Sequence, residues 1–249
     1  MQAQKNIRIL NPYEKTQLAR YKIPESEAQL HPTTPIEYLT GWVDFCAVSF
    51  QITPDTLIPR PESEELVSLA LEWISTVPTT HTCRVIDVGT GCGAIALSLA
   101  RLTPRKISLR ASDISVAALA IAQKNAQLMN QPDITWIEAD VLAFLRPSEM
   151  VDLIIANLPY IPHERIEYLD SSVKDHEPRI ALDGGDDGLL LIERLLQDAE
   201  SHLSASGTIL LEIDYTHAET LRQRFSSKWK ISTWQSKISS CTFAQLWLH

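Results

Sequence analysis

Positive charge is scarce in this chain: 22 lysines and arginines stand against 31 aspartates and glutamates, a formal net charge of -9, and no Lys/Arg-rich run occurs. Phosphate neutralisation supplies most non-specific affinity for nucleic acid, so this balance disfavours a directly bound duplex. Cysteine is scarce as well. Cys46, Cys83, Cys92 and Cys241 are too few for a disulfide scaffold and no pair has metal-ligand spacing, so reduced thiols and no metal are expected. No apolar run approaches the roughly 20 residues that span a bilayer. The opening MQAQKNIRILNPYEK also lacks an apolar signal core. The expectation is a cytoplasmic protein without a membrane partner. No internal repeat or low-complexity segment is present, and nothing in the sequence sets an oligomeric state.

What is present suits a folded enzyme. With 249 residues, 45% of them hydrophobic, the chain can build one α/β domain with an appendage. Residues 1–34 read as a short N-terminal arm or helical appendage, with a helix from Tyr13 to Lys22. Residues 35–60 read as a β-hairpin, Ile36 to Thr53, and a linker, because Trp42, Val43, Phe45, Val48, Phe50 and Ile52 alternate around Gly41 and Asp44. Residues 61–249 read as the catalytic domain. Pro61 followed by Glu62, Glu64 and Glu65 starts a helix that ends near Thr76. Strands over Arg84–Val88, Ile107–Ala111, Ile134–Glu138, Val151–Ala156 and Thr208–Ile213 then alternate with helices. Lys230–Trp234 and Thr242–Leu248 close the sheet. The pattern predicts a Rossmann-like seven-strand doubly wound sheet, with a long loop from Ile161 to Gly185 whose length points to function.

Three strand ends carry acids. Asp87-Val88-Gly89-Thr90-Gly91 follows one strand and opens a helix, but glycines at 89, 91 and 93 do not match the dinucleotide fingerprint. Asp87 would repel a diphosphate and would suit a cationic amino acid or a sulfonium. Asp113, 20 residues beyond Gly93, is placed to accept ribose hydroxyls. Asp140 is placed for an adenine amine, with Val141 beside the ring. A nucleoside site without phosphates follows, and these acids together favour S-adenosylmethionine. The fourth strand stops at Asn157-Leu158-Pro159-Tyr160. Asparagine carries an acceptor and a donor, which suits it to a planar amide, and Tyr160 adds a flat face. His163, His176 and His217 show no ligand spacing and read as loop or surface histidines.

The segments LIPRPESEELV, VIDVGTGCGAIALSLA, ASDISVAALAIAQKNA, VDLIIANLPYI, EPRIALDGGDDGL and ILLEI resemble the HemK/PrmC family, the glutamine N5-methyltransferases of peptide chain release factors. The resemblance implies a class I S-adenosylmethionine-dependent fold. It also implies cofactor contacts from Asp87, Val88, Gly89, Thr90, Gly91, Asp113, Asp140, Val141 and Asn157. Asn157, Leu158, Pro159 and Tyr160 fall on the family's Asn-Pro-Pro-Tyr motif, which holds the substrate glutamine, and Asn157 and Tyr160 are the catalytic candidates. The implied partner is a release factor bearing a Gly-Gly-Gln motif. Leu158 replaces the motif's first proline, the N-terminal region is shorter than the family's usual recognition domain, and ISSCTFAQLWL lacks the usual Asp-Arg ending. Leu158 keeps its carbonyl, and Pro159 still biases it to extended dihedrals. Asn157 loses the restraint of a following proline, so slower transfer is expected. The alternatives are glutamine methylation of a ribosomal protein, an adenine N6-methyltransferase and a non-catalytic methyltransferase-like binding subunit.

Overall fold

The computed structural model describes residues 8–131 and 133–249, so residues 1–7 of the expected N-terminal arm lie outside the described residues. The chain opens with helices α1 (Pro12–Arg20), α2 (Glu25–Leu30) and α3 (Ile36–Thr40). Asn11 caps α1: its side chain accepts from Glu14 N while the Glu14 carboxylate takes the Asn11 N–H, and Pro12 fills the position whose donor would be orphaned. Leu10, Leu18, Ala28 and Ile36 make a small core of their own.

The hairpin is shorter than its hydrophobic alternation implies, because Ile36–Thr40 is helical and only β1 (Trp42–Phe45) and β2 (Val48–Gln51) pair. Its two-residue turn is Cys46-Ala47, both at positive φ (49° and 58°), which is the twist a tight hairpin requires from residues that resist it. Glu64 accepts the Cys46 N–H at 2.8 Å and holds the turn.

The hairpin is stapled to the main domain by one buried side chain. Asn125 Oδ1 accepts from Gln51 N at 2.8 Å, and its Nδ2 donates to Gln51 O and Cys92 O at 2.9 Å each. Truncation would orphan three backbone groups, one buried and two half-buried. Asn125→Ala is therefore expected to lower unfolding free energy by about 3 kcal/mol in a urea titration, far more than an exposed Asn→Ala change.

The main domain runs through α4 (Ser63–Thr76), β3 (Cys83–Val88), α5 (Ala94–Leu102), β4 (Ile107–Asp113), α6 (Val116–Leu128), β5 (Thr135–Glu138), β6 (Val151–Ala156), α7 (Ser171–Lys174), α8 (Leu190–Ala199), β7 (Leu203–Ile213), α9 (His217–Phe225), β8 (Trp229–Gln235) and β9 (Thr242–Leu248). The expected seven-strand sheet forms in the order β5-β4-β3-β6-β7-β9-β8. All neighbours are parallel except β9, which runs against both β7 and β8. Ser115 caps α6, accepting from Ala118 N. Apolar layers cover both faces: the hairpin, α4 and α5 contribute to one, α8 to the other. Among the described residues no helix is long and apolar enough to cross a membrane.

Chain order reverses at the centre of the sheet. From β3 the chain moves outward to β4 and β5, then returns to lay β6 on the other side of β3, pairing Val88 with Ala156. The residues that follow β3 and β6 thus meet at a switch point, the place where open α/β sheets bind ligands.

Candidate active site

Gly89 N and Thr90 N both donate to Ser112 O, at 2.8 and 2.9 Å, which ties the glycine loop to the end of β4. Gly91 N donates to Asp113 Oδ2 at 2.8 Å, and Ser115 N donates to Asp113 Oδ1 at 2.9 Å. Each Asp113 oxygen keeps a free lone pair beside a cavity of about 490 Å³. Val88, Gly89, Gly91, Asp113, Asp140, Val141, Asn157, Leu158 and Pro159 line that cavity. Nine of the twelve sequence-nominated residues therefore meet on one wall system.

Asp87, Thr90 and Tyr160 do not line it. Asp87 is 0% exposed and sits beneath the loop: its Oδ2 accepts from the Thr90 hydroxyl at 2.6 Å and from Ala96 N at 3.1 Å. The expected direct contact between Asp87 and a cationic ligand is thereby corrected, since this carboxyl braces the loop and the start of α5. Its Oδ1 is buried without a hydrogen-bond partner among the described residues. Burial pushes the carboxyl from 3.8 up to about 7, against the lowering effect of its two hydrogen bonds.

A raised folded-state pKa means the folded protein keeps a proton that the unfolded chain releases between those two values. Asp87 therefore destabilises the fold progressively as pH rises from about 4 to about 7. Asp87→Asn is expected to gain stability relative to the native chain across that window, read as urea midpoints at pH 4, 5.5 and 7; a pH-independent difference would refute the assignment.

The cavity's charges sort into pairs with a surplus of acid. Arg194 is bonded to Asp140 at 2.9 Å, and Arg179 lies 3.5 Å from Asp183. Asp55 and Asp113 on the same wall have no basic side chain within ion-pair distance among the described residues. A donor set of unpaired carboxylates and small backbone groups fits a cationic nucleoside and disfavours a polyphosphate. An ideal Cβ on Gly91 would meet nothing within 4 Å, so the loop opens onto free space there. Val141, a buried β-branched residue, is held at φ 53°, a conformation that costs about 1 to 3 kcal/mol and concentrates at functional sites.

Asn157 is held by side chains that do not line the cavity. Its Nδ2 donates to Ser63 Oγ at 3.0 Å, Ser63 Oγ donates to Glu212 Oε2 at 2.6 Å, and Tyr160 OH donates to Glu212 Oε1 at 3.1 Å. Asn157 Oδ1 accepts nothing from the described residues. Burial raises the Glu212 carboxyl, opposed by the Ser63 and Tyr160 hydrogen bonds, and burial beside Glu212 raises the Tyr160 phenol further. Tyr160 and Glu212 line a second cavity of about 330 Å³ with Arg60, Glu62, Arg165 and Cys241. The tetrapeptide is a partition between the two cavities.

Leu158 is more than a missing proline. Its side chain is buried in the apolar layer and would lie 3.0 Å from a Cβ on Gly89, so it packs the motif onto the glycine loop. One further segment presses on the motif. Gly184 and Gly188 lie so close that an added Cβ would stand 2.8 Å from Pro159 O and 2.3 Å from Tyr160 O. Glu177, buried in the long loop, accepts from Ile58 N and from the Arg60 guanidinium, clamping the Arg60-Pro61 turn. His217 is buried, with its ring nitrogen Nε2 3.0 Å from Asp187 O, which corrects its reading as a loop or surface residue. Ser63 and Glu212 were carried in recognisable segments, but periodicity gave them no role because their partners lie 94 and 52 residues away.

Residues 70–171 match the family described as Methyltransferase small domain. A Release factor glutamine methyltransferase of Lactococcus lactis subsp. lactis (strain IL1403) is 35% identical over 232 residues, 90% of this chain and 83% of that protein. A protein of the same name from Moorella thermoacetica is 40% identical over 189 residues, 76% of this chain; the chain spans 65% of that relative's length, just under two thirds. Among solved structures, a SAM-dependent methyltransferase from Agrobacterium tumefaciens shares the fold with a TM-score of 0.57 at 16% identity, over 83% of this chain and 69% of that one.

Proposed function

This chain belongs to the release factor glutamine methyltransferase family, and from that premise we propose that it transfers a methyl group from S-adenosylmethionine to the side-chain amide nitrogen of a glutamine in a release factor's Gly-Gly-Gln motif. The observation that carries the reading is the Asn157 amide, tied down through its nitrogen and free at its oxygen, on the wall of a cavity with unpaired carboxylates. Residues 61–249 would be the catalytic domain, with 35–60 a hairpin and linker and 1–34 an appendage.

S-adenosylmethionine, when bound, supplies a methyl carbon made electrophilic by its sulfonium. Asp113 would take the ribose hydroxyls, Asp140 and Val141 the adenine edge, and Gly89 and Gly91 would let backbone approach; Asp87 and Thr90 support that loop from below. The protein's remaining task is to make an amide nitrogen attack. That lone pair is delocalised by the same resonance that gives a peptide bond its roughly 18 to 20 kcal/mol barrier. Asn157 Oδ1 and the Leu158 carbonyl would each accept one amide hydrogen, which holds the nitrogen's remaining face toward the donor cavity. Orientation of this kind is worth up to about 7 to 11 kcal/mol in well-placed reactants. Tyr160 keeps its proton, since burial raises its phenol and its hydroxyl is spent on Glu212, so it serves as a wall and not as a base. The acceptor would enter from the Tyr160 side of the partition and its proton would leave to water.

Transfer of labelled methyl to a purified release factor, run beside ribosomal proteins and adenine-containing oligonucleotides, tests this. Label on the Gly-Gly-Gln glutamine alone is expected. Label on an oligonucleotide or a ribosomal protein instead would replace the substrate.

A further inference from the structure

The Asn157 amide can face the acceptor with either end, and only one end is useful. An acceptor NH2 needs the oxygen; the flipped amide would set donor against donor. Ser63 Oγ, 3.0 Å from Asn157 Nδ2, cannot by itself decide which end points out, because a hydroxyl donates or accepts with equal ease. What decides is the group behind it. Glu212 Oε2 lies 2.6 Å from the same hydroxyl, and a carboxylate only accepts. The serine proton is thus committed to Glu212, a serine lone pair is left for Asn157 Nδ2, and Oδ1 is turned toward the cavity. The other Glu212 oxygen accepts from Tyr160 OH, so one carboxylate holds both ends of the tetrapeptide.

Glu212 is 2% exposed and makes no ion pair among the described residues. Burying a carboxylate without a cation is costly, and an apolar side chain on β7 would fill the same space more cheaply. A reason beyond packing is therefore called for. On the reading that Asn157 grips an acceptor amide, we propose that Glu212 and Ser63 are positioning residues: the carboxylate, acting through the serine hydroxyl, fixes the Asn157 amide with its oxygen toward the methyl acceptor.

The relay is tested by transfer kinetics to a release factor with Ser63→Ala, Ser63→Thr, Glu212→Leu and the double variant S63A/E212L, with S-adenosylmethionine affinity measured by calorimetry. Ser63→Ala and Glu212→Leu should each lower kcat roughly 30-fold, as misorientation of a substrate-holding group does. In Ser63→Ala, KM for the acceptor and cofactor affinity should stay within about threefold, because Ser63 lines neither cavity. The double variant should be no slower than the slower single one, since both break the same chain of bonds. Ser63→Thr, which keeps the hydroxyl, should retain most of the native rate. If Glu212→Leu does not fold, the Ala and Thr pair at position 63 decides alone. Native-like kcat in Ser63→Ala, or losses that multiply in the double variant, would overturn the relay. A native chain that labels no release factor overturns the functional reading instead, so the two failures are distinct.

Discussion

Asn157→Ala is expected to lower methyl transfer by about a thousandfold or more while S-adenosylmethionine affinity falls far less. Truncation removes the one side-chain acceptor aimed at the amide, and loss of a single preorganised hydrogen-bonding group costs about 10² to 10³ in kcat. The acceptor nitrogen is also released from its orientation, which adds to the loss. Most of the cofactor affinity should survive because Asn157 is one wall residue among several, and Asp113, Asp140 and the glycine loop hold their own hydrogen bonds without it. Single-turnover labelling with calorimetry on the same preparation reads both quantities. Parallel loss of binding and transfer would mean that the cavity had collapsed, and the assigned role would fall.

Gly188→Ala should be the most damaging single methyl group added to the chain. Gly188 has φ 80°, and its Cβ would stand 2.3 Å from Tyr160 O and 2.8 Å from His217 Nε2. Neither neighbour is the loose end of a flexible side chain: one is backbone, and the other is a buried ring bonded to Asp187 O. Strain in the left-handed region adds about 1 to 2 kcal/mol, and displacement of buried backbone adds more, so a loss of about 4 kcal/mol is expected in a urea titration. Transfer should fall with it, because the displaced atom belongs to the tetrapeptide. Gly91→Ala is the contrast: φ is 56° but nothing lies within 4 Å. It should cost about 1 to 2 kcal/mol of stability and act mainly on cofactor affinity. Equal stabilities for the two variants would show that the close approach at Gly188 carries no steric cost.

The sheet was legible in the sequence because each buried strand is a short apolar run between turn residues, and a register fixed by such runs brings their ends together. Asp113, Asp140 and Asn157 follow from strand ends alone. The hairpin boundary was less legible: Ile36–Thr40 continues the apolar pattern but curls into a helix, and Cys46-Ala47 gives none of the Asn-Gly signal that marks a tight turn. Asp87 shows how a residue type at a suggestive place can mislead. It stands at a strand end beside the glycine loop, yet the carboxyl lies under the loop, and only three-dimensional burial distinguishes a brace from a ligand contact. Ser63, Glu212 and Asn125 were silent because hydrogen bonds spanning 33 to 149 residues leave no periodic trace. Gly184 and Gly188 of the DGGDDGL segment carried a motif without a reason. The reason is steric: the long loop crosses the tetrapeptide backbone at a distance that admits hydrogen alone.

The partition formed by Asn157 to Tyr160 has a kinetic corollary. With a separate doorway on each face, spent donor can be exchanged for fresh while a large protein remains docked, and a small molecule plugging one opening leaves traffic through the other undisturbed. Inhibitors of the two openings should then add their effects instead of excluding each other, and no compulsory sequence of arrival is imposed by the walls themselves.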